Sequence, residues 1–187
     1  MRGLEDVWMY AEARAPAEDA LAAAVEAARR GGATLTVVGA IGRSEDRVFQ
    51  TSFGREVMRM VREDREARAR NLAEMARPSL PPGRTRWRVL EGEVPWHSVV
   101  LHAIAQAPDL LVVPARGEDP FGSDSVTQHL FRKCPAPVWA VHSGRPPFPR
   151  RVLAAVDPGA PRSVERDLAR RVLELARRIG GAGPLEL

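Results

Sequence analysis

Apolar residues along this chain cluster in two ways. Short runs rich in β-branched residues occur at 7–11 (VWMYA), 34–41 (TLTVVGAI), 86–90 (RWRVL), 109–114 (DLLVVP), 137–141 (PVWAV) and 152–156 (VLAAV). Their apolarity is continuous rather than alternating, as expected for strands covered on both faces, and so predicts a parallel sheet. Longer segments between them carry apolar residues at helical spacing. Residues 17–30 are alanine-rich and close on Arg29-Arg30-Gly31-Gly32, with basic residues in the last turn and glycine after it. Residues 50–76 place Phe53, Val57, Val61, Leu72 and Met75 on an expected inner face, and residues 96–106 do the same with Val99, Val100, Ala103 and Ile104. A further helix over 124–133 must stop at Cys134-Pro135, because proline cannot continue it. Strand and helix alternate five times, which predicts an α/β fold with a doubly wound, open, parallel five-stranded sheet.

The sixth apolar run opens a repeat. Val7-Trp8-Met9-Tyr10-Ala11-Glu12 is answered by Val152-Leu153-Ala154-Ala155-Val156-Asp157, each an apolar strand ending in a carboxylate. Val25-Glu26-Ala27-Ala28-Arg29-Arg30-Gly31-Gly32 is then answered by Leu173 to Gly181, with Arg177-Arg178 and Gly180-Gly181 in the matching places. The expected organisation is a full domain at 1–143, a linker at 144–150 and a partial second copy, strand-helix-strand, at 151–187.

Composition changes this picture little. Of 187 residues, 44% are hydrophobic and 28% charged, ordinary for a globular domain. No run approaches the ~18 apolar residues of a membrane helix. Glu5, Asp6 and Glu12 interrupt any signal-peptide core, and Cys134, the single cysteine, cannot form an internal disulfide. The cytoplasm is the expected compartment. The net charge of +4 raises the question of nucleic acid. However, Arg55, Arg59, Arg62, Arg65 and Arg68 are interleaved with Glu56, Glu63, Asp64 and Glu66, which predicts a solvated, ion-paired helix face rather than a phosphate-binding stripe.

Two stretches carry a family resemblance. Gly92-Glu93-Val94-Pro95, followed by a helix and then Pro108-Asp109-Leu110-Leu111-Val112-Val113, resembles the middle of a universal stress protein domain. Ser125 to Trp139, and above all Leu130-Phe131-Arg132-Lys133-Cys134-Pro135-Ala136-Pro137-Val138-Trp139, is similar to the last helix and strand of tandem, UspE-type members. The resemblance implies the adenine nucleotide alpha hydrolase-like fold, in a tandem protein cut short within its second domain. It also implies dimerisation through the last strand, at Val138, Trp139 and Val141.

Nucleotide-binding members of that family carry an acidic residue after strand one and a G-x2-G-x9-G-[S/T] loop after strand four. Their glycines let backbone N–H groups approach phosphates. In this chain Glu12 takes the acidic place, Gly117 the second glycine and Ser125 the hydroxyl position, with Ala40 beside them at the end of strand two. Pro114 replaces the first glycine and offers no N–H, and Asp124 replaces the third. The spacer is short, and Glu118, Asp119 and Asp124 would face a triphosphate. Asp124 also suits the N-cap of the last helix. The expectation is therefore a non-catalytic stress-response module that acts by binding protein partners and by dimerisation, with a degenerate nucleotide loop and no bound cofactor. An ATP-binding sensor with slow hydrolysis and a basic nucleic-acid-binding module are the alternatives.

Other chemistry finds no support in the sequence. Lys133, the only lysine, ends a helix, so no G-x4-G-K-[ST] loop exists. Neither G-x-G-x-x-G after strand one nor G-x-S-x-G is present. His97, His102, His129 and His142 have no metal spacing. Cys134 follows a helix C-terminus, whose dipole opposes a thiolate, and is expected to be an inert structural thiol. Trp8, Trp87, Trp96 and Trp139 fall on or beside strands and the third helix, where packing is expected.

Overall fold

The computed structural model describes residues 4–12, 17–42, 52–115, 125–144, 148–149, 152–153 and 163–180. The chain divides into two compact units, Met1–Pro147 and Phe148–Leu187. In the first, β1 (Asp6–Tyr10), α1 (Glu18–Gly31), β2 (Thr34–Gly42), α2 (Ser52–Ala76), β3 (Thr85–Gly92), α3 (Pro95–Gln106), β4 (Leu110–Ala115), α4 (Ser125–Lys133) and β5 (Val138–His142) follow one another. The strands form one sheet in the order β3-β2-β1-β4-β5, and every pairing is parallel. This is the doubly wound α/β sheet that the unbroken apolar runs predict.

Alternation along each strand assigns two faces. Trp8, Tyr10, Val38, Ala40, Leu90, Leu111 and Val113 join Val99, Val100 and Ala103 of α3 and Leu130 of α4 in one buried cluster. The opposite face, with fully buried Val7, Met9, Leu35, Val37, Leu110 and Val112, is covered by α1 and α2. Trp96 stacks on His129 with ring centroids 4.4 Å apart, tying α3 to α4, and Lys133 Nζ lies 4.6 Å above the same indole. This tryptophan therefore packs, as expected for it. The α1 terminus also follows the sequence: Gly32 caps the helix at φ +67, and Glu26 accepts hydrogen bonds from Arg29 and Arg30.

Two expected core positions are corrected. Met75 is 59% exposed and Ile104 62% exposed. The buried stripe of α2 is the expected Leu72 with Ala69, Ala73 and Ala76, at i, i+3, i+4 and i+7. Val57 and Val61 are half-buried, and the Phe53 side chain lies outside the described residues. Small residues suit that face because the helix runs close to β2: a Cβ on Gly39 would lie 3.4 Å from the Arg65 carbonyl oxygen. On α3 the buried stripe is Ser98, Val99, Val100 and Ala103, and Ile104 turns out of it. The exposed face of α2 carries the expected ion pairs, Arg59 with Glu56 and Glu63, Arg65 with Asp64, and Arg62 with Glu91 of β3.

The end of α3 is strained. Ala107 holds φ +47 and ψ +57, a left-handed cap in which its N–H donates to the Ala103 carbonyl. Glycine adopts that conformation without a Cβ penalty. Ala107→Gly should therefore stabilise the protein by about 0.5–1 kcal/mol, read as a higher urea midpoint at unchanged m-value.

In the second unit, α5 (Ser163–Gly180) is a helix with Arg177 and Arg178 in its last turn, where the repeat expects one. Of the strand expected at 152–156, only residues 152 and 153 are described, and Leu153 forms an isolated bridge. Asp157 and residues 184–187 lie outside the described residues.

Candidate functional site

The strand order reverses at β1: the chain builds leftward through β2 and β3, then crosses to β4 and β5 on the other side. In open parallel sheets of this kind, the crevice beyond the carboxyl ends of the strands flanking that reversal is the usual ligand site. Here it lies above β1 and β4.

Glu12 stands at the head of that crevice. β1 ends at Tyr10, the Ala11 N–H still donates to the Val38 carbonyl at 2.8 Å, and the Glu12 N–H turns back to the Tyr10 carbonyl at 3.1 Å. Tyr10 is paired with Val38, and Val7 with Leu110. Pairing of β1 extends no further than Tyr10, so Glu12 lies in the turn that leaves the strand. Ala40 is buried and shares the face of Tyr10 and Val38 in the core cluster.

Of the expected site residues, Glu12 is half-buried just past the end of β1, and Ala40 is buried in β2. Gly117 lies outside the described residues, as do Arg116, Glu118, Asp119 and Asp124. Ser125 is the first residue of α4. Pro114 is buried near the end of β4 and pairs in register with Val141.

The neighbouring wall is closely packed. The extended Val94 and Pro95 at the first position start α3 where the Gly-x-x-Pro turn predicts. A Cβ on Gly42 would lie 2.9 Å from Pro95 Cδ, and one on Gly92 would lie 2.9 Å from Ser98 Cβ. Both glycines are required by this close approach of helix to sheet. Ser98 is fully buried, and its hydroxyl donates to the Pro95 carbonyl at 2.8 Å. This polar core residue is not legible along the chain, because its role depends on a glycine six positions earlier in another element.

The three residues expected at a dimer interface divide between faces. Val138 packs toward the α3–α4 cluster. By alternation Trp139 and Val141 point to the α1 face, where Val141 is only 6% exposed and Trp139 half-buried. Burial pushes the Cys134 thiol up from its ordinary pKa, in keeping with an inert thiol.

A structural cue also emerges at the other end of β1. Asp109, read from sequence only as the start of a strand, accepts the Glu5 and Asp6 N–H groups at 2.7 and 3.0 Å through Oδ2. It clamps the entry of β1 to that of β4.

Residues 12–142 match the universal stress protein family. No curated protein sequence matches the chain. Among solved structures, a universal stress protein UspA from Lactobacillus plantarum aligns at TM-score 0.58 and 18% identity, over 74% of this chain and 98% of that one. The universal stress protein from Archaeoglobus fulgidus in complex with dAMP aligns at 0.54 and 20%, over 75% and 98%. A functionally unknown protein from Pseudomonas aeruginosa aligns at 0.60 and 17%, over 98% of this chain and 59% of that one.

Proposed function

Because the chain belongs to the universal stress protein family, we propose that it is a non-catalytic stress-response module that works by associating with a second copy and with protein partners. The observation that carries this reading is the place of β5. It is an outer strand of the sheet, and its sequence Val138-Trp139-Ala140-Val141-His142 holds no Lys, Arg, Asp or Glu. Outer strands of monomers are usually blunted by charge or proline, since their backbone can template another chain. An apolar outer strand suits pairing of two copies.

Sedimentation equilibrium tests this. The wild-type chain should sediment as a dimer at micromolar concentration, and Val138→Lys should sediment as a monomer that still unfolds cooperatively in urea. A monomeric wild type at the same concentration would reject pairing through β5.

A nucleotide-binding reading rests on a specific observation too. The relative from Archaeoglobus fulgidus was solved with dAMP, and Glu12 heads the crevice above β1. A nucleotide here would engage Glu12, Ala40, Gly117 and Ser125. Pro114 and the acidic loop residues weigh against a triphosphate, so the association reading is preferred.

The tandem reading for residues 151–187 draws on the internal repeat. It also draws on the Pseudomonas aeruginosa structure, which aligns over 98% of this chain while the two single-domain relatives align over 74% and 75%.

A further inference from the structure

The amino-terminal end of the sheet holds a cleft of about 480 Å³, at the opposite end of β1 from Glu12. Its walls differ in charge. Glu5 and Asp6, at the entry to β1, form one edge, Arg86 and Arg88 of β3 the other, and the hydroxyl-bearing Thr34 and Thr36 of β2 lie between them. Two strand spacings separate β1 from β3, about 9.5 Å between backbones.

Asp6 and Arg88 attract each other across the cleft, but no hydrogen bond or ion pair joins the two edges among the described residues. The Asp6 carboxylate accepts a hydrogen bond from Trp8 Nε1 at 2.9 Å and a long one from Thr36 Oγ1 at 3.5 Å. Arg88 is half-buried with its guanidinium 4.4 Å above the Trp8 ring, its Nε has no hydrogen-bond partner, and among the described residues it forms no ion pair. Arg86 also forms no ion pair among the described residues, and its like charge lies near Arg88. Burial raises the Asp6 pKa and lowers that of Arg88, so each charge is held against its desolvation cost. Charges kept in that condition beside an open cavity mark a place where a ligand can offset the cost.

We propose that this cleft is a second binding site, for a small zwitterion whose carboxylate meets Arg86 and Arg88 and whose ammonium meets Asp6 and Glu5. A plain anion would meet the acidic edge, and the carbonyl end of α3 at Gln106 also opposes it. A plain cation would meet the two arginines. Only a ligand with both charges matches both walls.

The Trp8 indole N–H, bonded to Asp6, reports occupancy directly. Its resonance, assigned with Trp8→Phe, is followed by NMR during titration of the full chain with glycine, γ-aminobutyrate, ε-aminocaproate, acetate and methylammonium. At least one zwitterion should shift it saturably, at least about tenfold more tightly than acetate or methylammonium. Arg86→Gln, at an exposed position, should weaken that binding without changing the fold, and Arg88→Gln should weaken it further. Equal binding of acetate would overturn the zwitterion assignment. Absence of any saturable shift, or binding indifferent to both arginine variants, would overturn the site itself.

Discussion

Trp8→Ala should destabilise the protein by about 3–5 kcal/mol, the range for deleting a large buried side chain. That is a large share of the ~5–15 kcal/mol that holds a typical domain together. Trp8 is fully buried on β1, the central strand, and packs in the cluster that α3 and α4 cover. Its loss opens a cavity where three layers meet, removes the donor to Asp6 and strips the ring from beneath Arg88. Trp8→Phe separates these effects, since it keeps most of the apolar volume and removes the indole N–H. Burial raises the folded-state pKa of Asp6, so this group favours folding in acid and turns against it as pH rises through that value. Removing the indole N–H, which stabilises the charged carboxylate, enlarges that penalty. The stability gap between wild type and Trp8→Phe should therefore widen from acid to neutral pH. Urea denaturation followed by circular dichroism, at several pH values, checks both statements.

Gly92→Ala should cost about 1–3 kcal/mol by overpacking. The added Cβ would lie 2.9 Å from Ser98 Cβ and 3.2 Å from Ser98 Cα, atoms fixed to the first turns of α3. No rotamer change can relieve that contact, so the helix must shift away from β3. Ser98 is fully buried and bonded to the Pro95 carbonyl, so the shift also disturbs the wall of the crevice beside β2. Gly83→Ala offers a useful contrast. Its Cβ would meet nothing within 4 Å, and its cost comes only from a backbone held at φ +78. Equal urea midpoints for Gly92→Ala and wild type would contradict the close packing of α3 on the sheet.

The order of strands and helices was legible because β1, β2 and β4 are buried on both faces and read as apolar runs, while β3 and β5 follow from the alternation with helices. Helix ends marked by Gly32 and Pro95 were legible for the same local reason, a backbone requirement written in one residue. The inner faces of α2 and α3 were only partly so. Large apolar side chains drew attention to Met75 and Ile104, whereas the close approach to the sheet selects alanines and Ser98. That choice is imposed by Gly39 and Gly92 on neighbouring strands, so no window along the helix contains it. At the carboxyl-end crevice, Glu12 was singled out through family resemblance, and it follows directly on the central strand. The charged cleft at the amino end had no sequence signal. Asp6, Thr36 and Arg88 come from three strands, and they meet only because parallel pairing sets Asp6 against Thr34 and Thr36 against Arg86.

If this universal stress protein domain works by association, as proposed, it should bind ATP poorly. Pro114 supplies no N–H at the end of β4, and the following loop sequence carries Glu118, Asp119 and Asp124. Isothermal titration of the full chain with ATP and Mg²⁺ tests it most directly. The account predicts no saturable heat up to millimolar nucleotide. Micromolar binding that is lost in Gly117→Asp would contradict it and return the crevice above β1 to nucleotide sensing.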